Sequence, residues 1–343
     1  MNSTVTAATF FALRESRDLA SSVCRAAGMS LALLEEQEFE GGEFKLRPLE
    51  SVRDRTAFVL QCLAGTAAAP VAERMLKLLL LLHGLRDAGA GRRIALLPYL
   101  TFTRQDRRTQ LRDPINTRYI AQLLESAGVD RIVTLDVHNT AALDNSFRIP
   151  VDHLSAAPMM VHHFSTRLPA GKPTVVSPDV GGIKRAQIFR ELLVSRIEQE
   201  VDLAFFEKRR AASAPSAHTL VGEVKDRTVI LVDDLCATGN TLMRAAEVCK
   251  RAGAAAVYVA VTHTPLTSGL AAVLADININ GVVTTDSVGF HCGPSALAAA
   301  EKLTVLSIAP LFGHAVERLS SGKPIAPLLE LWPLEGEIEA PRR

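Results

Sequence analysis

The chain has 343 residues, of which 48% are hydrophobic and 22% charged, with a formal net charge of +1. This length accommodates two domains, and the near-neutral charge does not favour binding to nucleic acid or to an anionic membrane. The N-terminus has no basic segment followed by a long apolar run, and the most apolar stretch, 75–85, is too short to cross a bilayer. We therefore expect a cytoplasmic protein without nucleic-acid or membrane partners, and a helix at 75–85 that is buried between layers.

The five cysteines are scattered, and none forms a C-x-x-C pair: Cys24, Cys62, Cys236, Cys249 and Cys292. This spacing favours reduced, mostly buried thiols over a zinc site or disulfides.

Strand-like and helix-like runs alternate along almost the whole sequence. Strands are predicted at 9–13, 57–61, 94–97, 132–135, 174–177, 203–206, 229–232, 256–261, 282–285 and 304–308. Helices are predicted at 17–27, 72–88, 115–127, 156–167, 183–193, 242–252, 270–276 and 309–319. This alternation indicates an α/β fold of mainly parallel sheets flanked by helices, and so many strands favour two sheets over one.

The polar stretch 139–148 suggests a domain boundary close behind it, near 150–158. We predict an N-terminal domain at 1–153, a C-terminal domain at 154–320 and a tail at 321–343, with a C-terminal helix able to pack back on the first domain. Each half contains a strand that ends in acidic residues, which hints at a duplicated unit.

Two segments of the first half carry candidate chemistry. FEGGE at 39–43 predicts a glycine turn or hairpin. LPYLTFTRQDRR at 97–108 follows a strand and contains Arg104, Arg107 and Arg108. Guanidinium groups at the carboxyl end of a parallel strand suit a triphosphate, and a solvated basic face is the alternative.

VTLDVH at 133–138 places Asp136 and His138 two residues apart, hence on one face if the strand continues. If this pair lies opposite the arginine cluster, a contact with phosphate or Mg²⁺ is favoured over a purely structural role for His138. Zinc is not expected, since no third ligand stands out.

In the second half, SPDVGGIKR at 177–185 has the order strand, acid, diglycine, helix. Its glycines would let a helix N-terminus approach an anion, and Asp179 could hold metal-bound water; ordinary turn chemistry is the alternative. FFEKRR at 205–210 leads into the small-residue segment 211–217, for which we expect a mobile loop. Its basic groups could close over a transferring phosphoryl group or simply form a basic turn.

TVILVDDLCATGNTL at 228–242 predicts a buried strand, a tight loop and the start of a helix. Gly239 and the neighbouring hydroxyl groups would let several N–H groups meet one phosphate at the helix N-terminus. Asp233 and Asp234 would suit ribose hydroxyls or a ligand-bound Mg²⁺. An ordinary strand–helix turn is the alternative.

Taken in this order, the segments resemble the ribose-phosphate pyrophosphokinase family, the phosphoribosyl pyrophosphate (PRPP) synthetases, from about residue 10 to residue 331. The resemblance rests on PY-x₄-RQDRR, D-x-H, IPVDHL-x-AAP, SPD-x-GG, KRR and VDD-x₃-TG-x-T in combination. It implies two phosphoribosyltransferase-like domains and assembly as a homodimer or homohexamer. It also implies Mg²⁺-dependent transfer of the pyrophosphoryl group of ATP to O1 of ribose 5-phosphate, giving AMP and PRPP.

The resemblance assigns site residues by position. ATP would be bound by Arg104, Gln105 and Arg107, and by Phe39 and Glu43, which in the family contact adenine from the neighbouring subunit. The metal would be held by His138 and Asp179. Ribose 5-phosphate would be held by Asp233, Asp234, Ala237, Thr238, Gly239, Asn240 and Thr241. Lys208 and Arg210 would be catalytic and neutralise the transferring group.

The chain also departs from the family pattern. Gly41 stands where the adenine loop usually has an Asp, Ala237 stands where an acid is frequent, and 139–147 lacks the usual glutamines. Residues 324–326, Pro-Ile-Ala, replace a serine pair of the allosteric site, so we predict weak or absent phosphate activation and ADP allostery. Two alternatives remain: a catalytically weak regulatory subunit associated with a synthetase, and a phosphoribosyltransferase, which would leave the arginine-rich segment without a task.

Overall fold

The computed structural model describes residues 8–66, 68–168, 171–209, 217–265, 267–289, 300–329 and 332. The strands are β1 Ala8–Ala12, β2 Leu34–Glu38, β3 Phe44–Pro48, β4 Thr56–Leu60, β5 Arg92–Leu97, β6 Arg131–Leu135, β7 Val151–Leu154, β8 Pro173–Ser177, β9 Asp202–Arg209, β10 Ala217–Val221, β11 Thr228–Leu235, β12 Ala256–His263, β13 Gly281–Thr285 and β14 Leu303–Leu306. The helices are α1 Arg17–Ala26, α2 Val71–Asp87, α3 Asn116–Ser126, α4 Thr140–Ser146, α5 Ala157–Arg167, α6 Ile183–Ile197, α7 Asn240–Arg251, α8 Thr267–Ala275 and α9 Ala309–Ser321.

The chain divides into two compact units. Unit 1 comprises Met1–Ser155, Ser287–Gly289 and Ser307–Leu329, and unit 2 comprises Ala156–Asp286, Phe290–Leu306 and Glu330–Arg343. Helix α9 thus belongs to unit 1, where it packs on α1, although the sequence division placed its residues within 154–320. Gly313 permits this packing, because a Cβ at that position would lie 2.5 Å from the Cβ of Ala26.

Each unit is built on a mainly parallel sheet. Unit 1 has five strands in the order β1-β4-β5-β6-β7, all parallel. Unit 2 has seven strands in the order β10-β9-β8-β11-β12-β13-β14, in which only the β10–β9 pair is antiparallel. A separate antiparallel hairpin joins β2 to β3. The predicted α/β class with two sheets flanked by helices is confirmed.

The strands that form the two cores are buried on both faces. All five residues of β4 are buried, as are all five of β8. Helix α2 covers the unit 1 sheet with Leu78, Leu81 and Leu85, but Leu76 and Leu80 are 49% and 45% exposed. The prediction that this apolar helix is buried between layers is therefore wrong for one of its sides.

Two expectations from composition can be compared with the described residues. No helix among them is both long enough and apolar enough to span a membrane. Cys24, Cys62, Cys236 and Cys249 are free and buried, whereas Cys292 lies outside the described residues. Burial raises the pKa of the Cys24 thiol to about 11 and that of Cys249 to about 12, so these thiols stay protonated near neutral pH.

Candidate functional site

The arginine-rich loop begins where β5 ends and returns to the start of α3. The Gln105 N–H donates to the Phe102 carbonyl oxygen at 3.1 Å, and the Gln105 side chain accepts a hydrogen bond from Asn116. Arg104 and Arg107 are exposed, and neither guanidinium has a hydrogen-bond or ion-pair partner among the described residues. The loop therefore presents two uncommitted cations at the carboxyl edge of a parallel sheet, where ligands of α/β proteins bind.

Asp136 and His138 follow β6 directly, but the strand does not continue through them. Asp136 has a φ of +35°, in the left-handed region, and its N–H donates to the Leu154 carbonyl oxygen at 3.0 Å. The condition under which both side chains would share one strand face is therefore not met. The turn is held instead by β7, since the Val137 N–H donates to His153 Nε2 at 2.9 Å. No role was predicted for His153.

The Asn139 side chain joins this turn to the arginine-rich loop. Asn139 Nδ2 donates to Asp106 Oδ2 at 2.6 Å, and Asn139 Oδ1 accepts from the Ala142 N–H at 3.1 Å as the N-cap of α4. Asn139 thus fastens the loop of the two free arginines to the turn that carries His138. The sequence did not identify this link, because the two segments are neighbours only in the folded sheet.

Phe39 and Glu43 lie at the tip of the β2–β3 hairpin, which confirms the predicted glycine turn. The Phe39 N–H donates to the Glu43 carbonyl oxygen at 2.8 Å, and Gly41 and Gly42 both have positive φ. Phe39 is 44% exposed and Glu43 is exposed. Within the described part of unit 1, no hydrogen bond or ion pair links this tip to the arginine-rich loop. The residues predicted to bind ATP therefore form two separate groups.

In unit 2, Asp179 lies in the loop between β8 and α6. Its Oδ1 accepts from the Gly182 N–H at 2.9 Å, and its carbonyl oxygen accepts from Ser177 Oγ at 2.7 Å. Asp179 is exposed, and its Oδ2 has no hydrogen-bond partner among the residues described. Asp179 therefore shapes the turn through its Oδ1 and its carbonyl oxygen and leaves Oδ2 exposed.

Asp233 and Asp234, near the end of β11, share one guanidinium. Arg185 Nη1 lies 3.1 Å from Asp233 Oδ1, and Arg185 Nη2 lies 3.0 Å from Asp234 Oδ1. Arg185 stands in the first turn of α6, just after Gly182, and reaches the acids because β8 and β11 are adjacent strands. It belongs to the SPDVGGIKR segment, but no role was predicted for it.

The electrostatics of the acid pair follow from this arrangement. Burial raises the pKa of Asp233 well above its ordinary value, and the charge of Asp234 and a side-chain hydrogen bond between the two acids raise this pKa further. Arg185 opposes the shift without cancelling it. The pair therefore holds a proton more readily than two separate aspartates would.

This raised pKa predicts how stability depends on pH. An acid whose folded pKa exceeds its unfolded value of about 3.9 destabilises the fold progressively as pH rises from about 4 towards the folded pKa. We expect Asp233→Asn, whose amide can donate the hydrogen bond that the protonated acid donates, to raise the Tm by about 2–4 °C at pH 7–8, the equivalent of ~1 kcal/mol. At pH 4 no gain is expected. Thermal melts across this range test the prediction.

The control for that experiment is Asp202→Asn in the same unit. Asp202 is ion-paired to Arg227, so losing its charge should lower the Tm at neutral pH. A lower Tm for Asp233→Asn at pH 7–8 would show that Arg185 fully stabilises the ionised acid.

The loop after β11 leads into α7 as predicted. Gly239 is the N-cap residue, with a φ of +78°, and a Cβ there would lie 2.6 Å from Val273 Cγ2. Thr238, Asn240 and Thr241 are exposed, and Ala237 is half-buried. A pocket opens beside the first turn of α7 and is lined by Pro178, Phe206, Asn240, Thr241, Arg244 and Ala245. The backbone can therefore present N–H groups to an anion at this helix N-terminus.

The two predicted catalytic residues are only partly described. Lys208 lies in β9, where its backbone pairs with that of His218 in β10. Arg210 and residues 211–216 lie outside the described residues, so the expected mobile loop is not tested.

Two family models match the chain. The model described as the N-terminal domain of ribose phosphate pyrophosphokinase matches residues 8–128. The model described as the phosphoribosyl synthetase-associated domain matches residues 174–329. Each model thus falls on one of the two sheets.

Whole-chain comparisons extend this similarity. Ribose-phosphate pyrophosphokinase 1 of Streptococcus pneumoniae is 33% identical over 325 residues, which cover 94% of this chain and 96% of the relative. The ribose-phosphate pyrophosphokinase of Caldanaerobacter subterraneus subsp. tengcongensis is 35% identical over 90% of this chain and 94% of its own. The crystal structure of phosphoribosylpyrophosphate synthetase from Mycobacterium smegmatis superposes with a TM-score of 0.82 at 31% identity, covering 92% of this chain and 99% of that one. The chain therefore belongs to the ribose-phosphate pyrophosphokinase family of PRPP-synthesising enzymes.

Proposed function

We propose that the protein catalyses Mg²⁺-dependent transfer of the pyrophosphoryl group of ATP to O1 of ribose 5-phosphate, releasing AMP and PRPP. The observation that carries this proposal is the acid pair of Asp233 and Asp234 beside the loop that leads, through Gly239, to the N-terminus of α7. Membership of the family supports the same reaction.

Ribose 5-phosphate would be bound at the end of β11. The backbone of Ala237–Thr241 would take the phosphate, since the exposed hydroxyls of Thr238 and Thr241 and the helix N-terminus all favour an anion. Asp233 and Asp234 would accept hydrogen bonds from the ribose hydroxyls. Arg185 would keep this acid pair in place while the sugar binds.

ATP would be bound by residues of unit 1. Arg104 and Arg107 have uncommitted guanidiniums that suit the triphosphate, and Gln105 fixes the loop through Asn116. Phe39 and Glu43 would contact the adenine base, Phe39 by stacking its exposed ring. Gly41 has a φ of +91°, so the Asp that is usual there in the family would be strained, and one base contact is absent.

The proposal that the enzyme uses Mg²⁺ rests on the oxygen ligands that the site offers. Mg²⁺ is usually bound by one or two carboxylates together with substrate phosphates, and Asp179 Oδ2 fits that role. His138 is exposed beside the arginine-rich loop and would serve the same side of the triphosphate. Bound Mg²⁺ would neutralise phosphate charge. No group of three or more His, Cys, Asp or Glu side chains is gathered as a metal site in the described part of the chain.

The transfer itself requires positioning and charge rather than a protein nucleophile. The O1 hydroxyl of the sugar would attack the β-phosphorus of ATP, the new O1–P bond would form as the bond to the α-phosphate oxygen breaks, and AMP would leave. Lys208 and Arg210 would neutralise charge that develops on the transferring group.

Regulation, assembly and location remain predictions. The Pro-Ile-Ala sequence at 324–326 predicts weak or absent phosphate activation and ADP allostery. A homodimer or homohexamer in the cytoplasm is expected from the resemblance. A regulatory subunit with little turnover is the second candidate, favoured by Gly41 and Ala237, which remove side chains usual in the family.

The deciding experiment measures AMP and PRPP formation from Mg-ATP and ribose 5-phosphate, with and without inorganic phosphate. Equal turnover in both conditions supports the enzyme and the absence of phosphate activation. A steep rise with phosphate supports the enzyme and contradicts that regulatory prediction. Normal nucleotide binding without turnover would favour the regulatory subunit.

A further inference from the structure

Lys77 on α2 is an almost completely buried lysine, with a side chain only 3% exposed. Its Nζ lies 2.6 Å from a carboxylate oxygen of Glu73, 3.3 Å from one of Glu38 and 3.5 Å from one of Glu15. A buried ammonium is tolerated only when paired charges replace its hydration. Here those charges come from the helix itself, from β2 and from the segment that follows β1.

Lys77 remains protonated at neutral pH. Burial lowers the pKa of its ammonium, but the hydrogen bond to Glu73 and the charges of Glu15 and Glu38 outweigh burial and raise the pKa above its ordinary value. Lys77 is therefore a permanent cation in a cluster where carboxylates are in excess.

The contacts of Lys77 bracket the tip of the β2–β3 hairpin. Glu38 is the last residue of β2 and immediately precedes Phe39. Phe44 is the first residue of β3 and immediately follows Glu43, and Lys77 Nζ lies 5.4 Å from the centroid of its ring, within the range of a cation–π contact. One ammonium thus holds both sides of the hairpin at the two positions nearest the tip.

Two arginines also hold the hairpin: Arg17 binds it further from its tip, and Arg14 forms an exposed and therefore weak pair beside the tip. Arg17 donates to the Leu34 carbonyl oxygen at 3.1 Å and pairs with Glu36 at 3.2 Å. Arg14 adds an exposed pair with Glu38 at 3.5 Å. Because Arg17 binds the start of β2, losing Lys77 would leave the hairpin attached and release chiefly its tip.

We propose that Lys77 is a positioning residue that holds the tip of the β2–β3 hairpin, and with it Phe39 and Glu43, in a fixed place relative to the core of unit 1. This inference rests on the proposed function, in which the tip contacts the adenine base of ATP. Because helix α2 packs in the core of unit 1, the contacts of Lys77 fix the tip relative to that core. Without the ammonium, Glu15, Glu38 and Glu73 would repel one another and push β2 away from α2.

The test compares Lys77→Met, which keeps the length of the side chain and removes its charge, with the unchanged protein. We expect the KM for ATP to rise by about tenfold. The free energy needed to order the loosened tip would be subtracted from the free energy of ATP binding. The KM for ribose 5-phosphate should stay within about twofold, since the ribose site lies in unit 2. Amide hydrogen exchange at 38–44 should become faster.

A second variant and a control make the result specific. Glu38→Gln removes the Lys77 contact at a side chain that is 55% exposed, so it should fold normally and still raise the KM for ATP. The effects of Lys77→Met and Glu38→Gln should be less than additive in the double variant. Arg47→Ala removes an exposed pair with Glu35 on the same hairpin and should change neither KM nor exchange at the tip.

The outcomes separate this inference from the proposed function. Equal rises in both KM values, or an unchanged KM for ATP in an active enzyme, would contradict the role of Lys77 and leave the reaction in place. If the unchanged protein forms no PRPP, the proposed function fails, but hydrogen exchange and calorimetric binding of Mg-ATP still test the role of Lys77. Exchange rates at 38–44 and an Mg-ATP affinity that are the same in the Lys77→Met variant and the unchanged protein would overturn the inference.

Discussion

Replacing Lys208 by alanine is expected to lower turnover by roughly 10²–10³ while leaving ATP binding nearly unchanged, as for the loss of one group that stabilises charge in the transition state. Lys208 lies near the end of β9, adjacent to the loop predicted to close over the transferring group. Its charge would act on the pyrophosphoryl group as the bond to AMP breaks. Steady-state kinetics and calorimetric titration with Mg-ATP measure the two quantities.

Lys225→Ala is a suitable control, since Lys225 is an exposed lysine in the same unit and has no predicted role. It should leave turnover unchanged. If Lys208→Ala altered only thermal stability, or weakened ATP binding as much as turnover, the catalytic assignment of Lys208 would be wrong.

Replacing Arg185 by methionine is expected to produce the largest loss of stability among single changes at the site. The substitution removes the guanidinium that contacts both Asp233 and Asp234, and breaking a buried ion pair in this way costs about 3–5 kcal/mol. In a unit of this size such a loss lowers the Tm by roughly 10 °C at neutral pH. Because the pKa of Asp233 is already raised to about 8, its protonation should relieve part of this loss as the pH falls from about 8 towards 4.

The same variant should also raise the KM for ribose 5-phosphate more than the KM for ATP, because Arg185 holds the acids that would bind the sugar. Lys184→Met, one position earlier on α6 and exposed, is the matched control and should behave like the unchanged protein. Equal Tm values for the two variants would show that Arg185 contributes nothing to the acid pair.

The sheets were predictable from sequence because their strands are short apolar runs, rich in β-branched residues and buried on both faces. The stems of the β2–β3 hairpin were not predicted as strands, since LEEQE and FKLRP are polar sequences without such a pattern. Strand β7, with the sequence VDHL, and helix α4, with the sequence TAALDNS, were too short and too polar to stand out. These elements form through tertiary contacts.

The residues of the candidate site were likewise predictable only where the signal is local in sequence. Asp179, Asp233 and the loop ending at Thr241 were recognisable because each is a local pattern at the end of a strand. Arg185 and Asn139 were not, since their partners are 48 and 33 residues away along the chain. Lys77 interrupts an apolar run. Glu73, four residues earlier on the helix, was a recognisable partner, but Glu15 and Glu38 come from other segments and were not.

Gly269 in α8 shows how closely the loop 237–241 depends on a helix for which no ligand contact was predicted. A Cβ at Gly269 would overlap the carbonyl oxygen of Ala237, and its own carbonyl oxygen lies 2.9 Å from where a Cβ of Gly239 would stand. At Gly269 the loop and α8 thus pack backbone against backbone, and the Val273 side chain of α8 packs against Gly239. An alanine at Gly269 would therefore displace the Ala237 carbonyl group and reshape the loop proposed to hold the sugar phosphate, although Gly269 itself lies outside that loop.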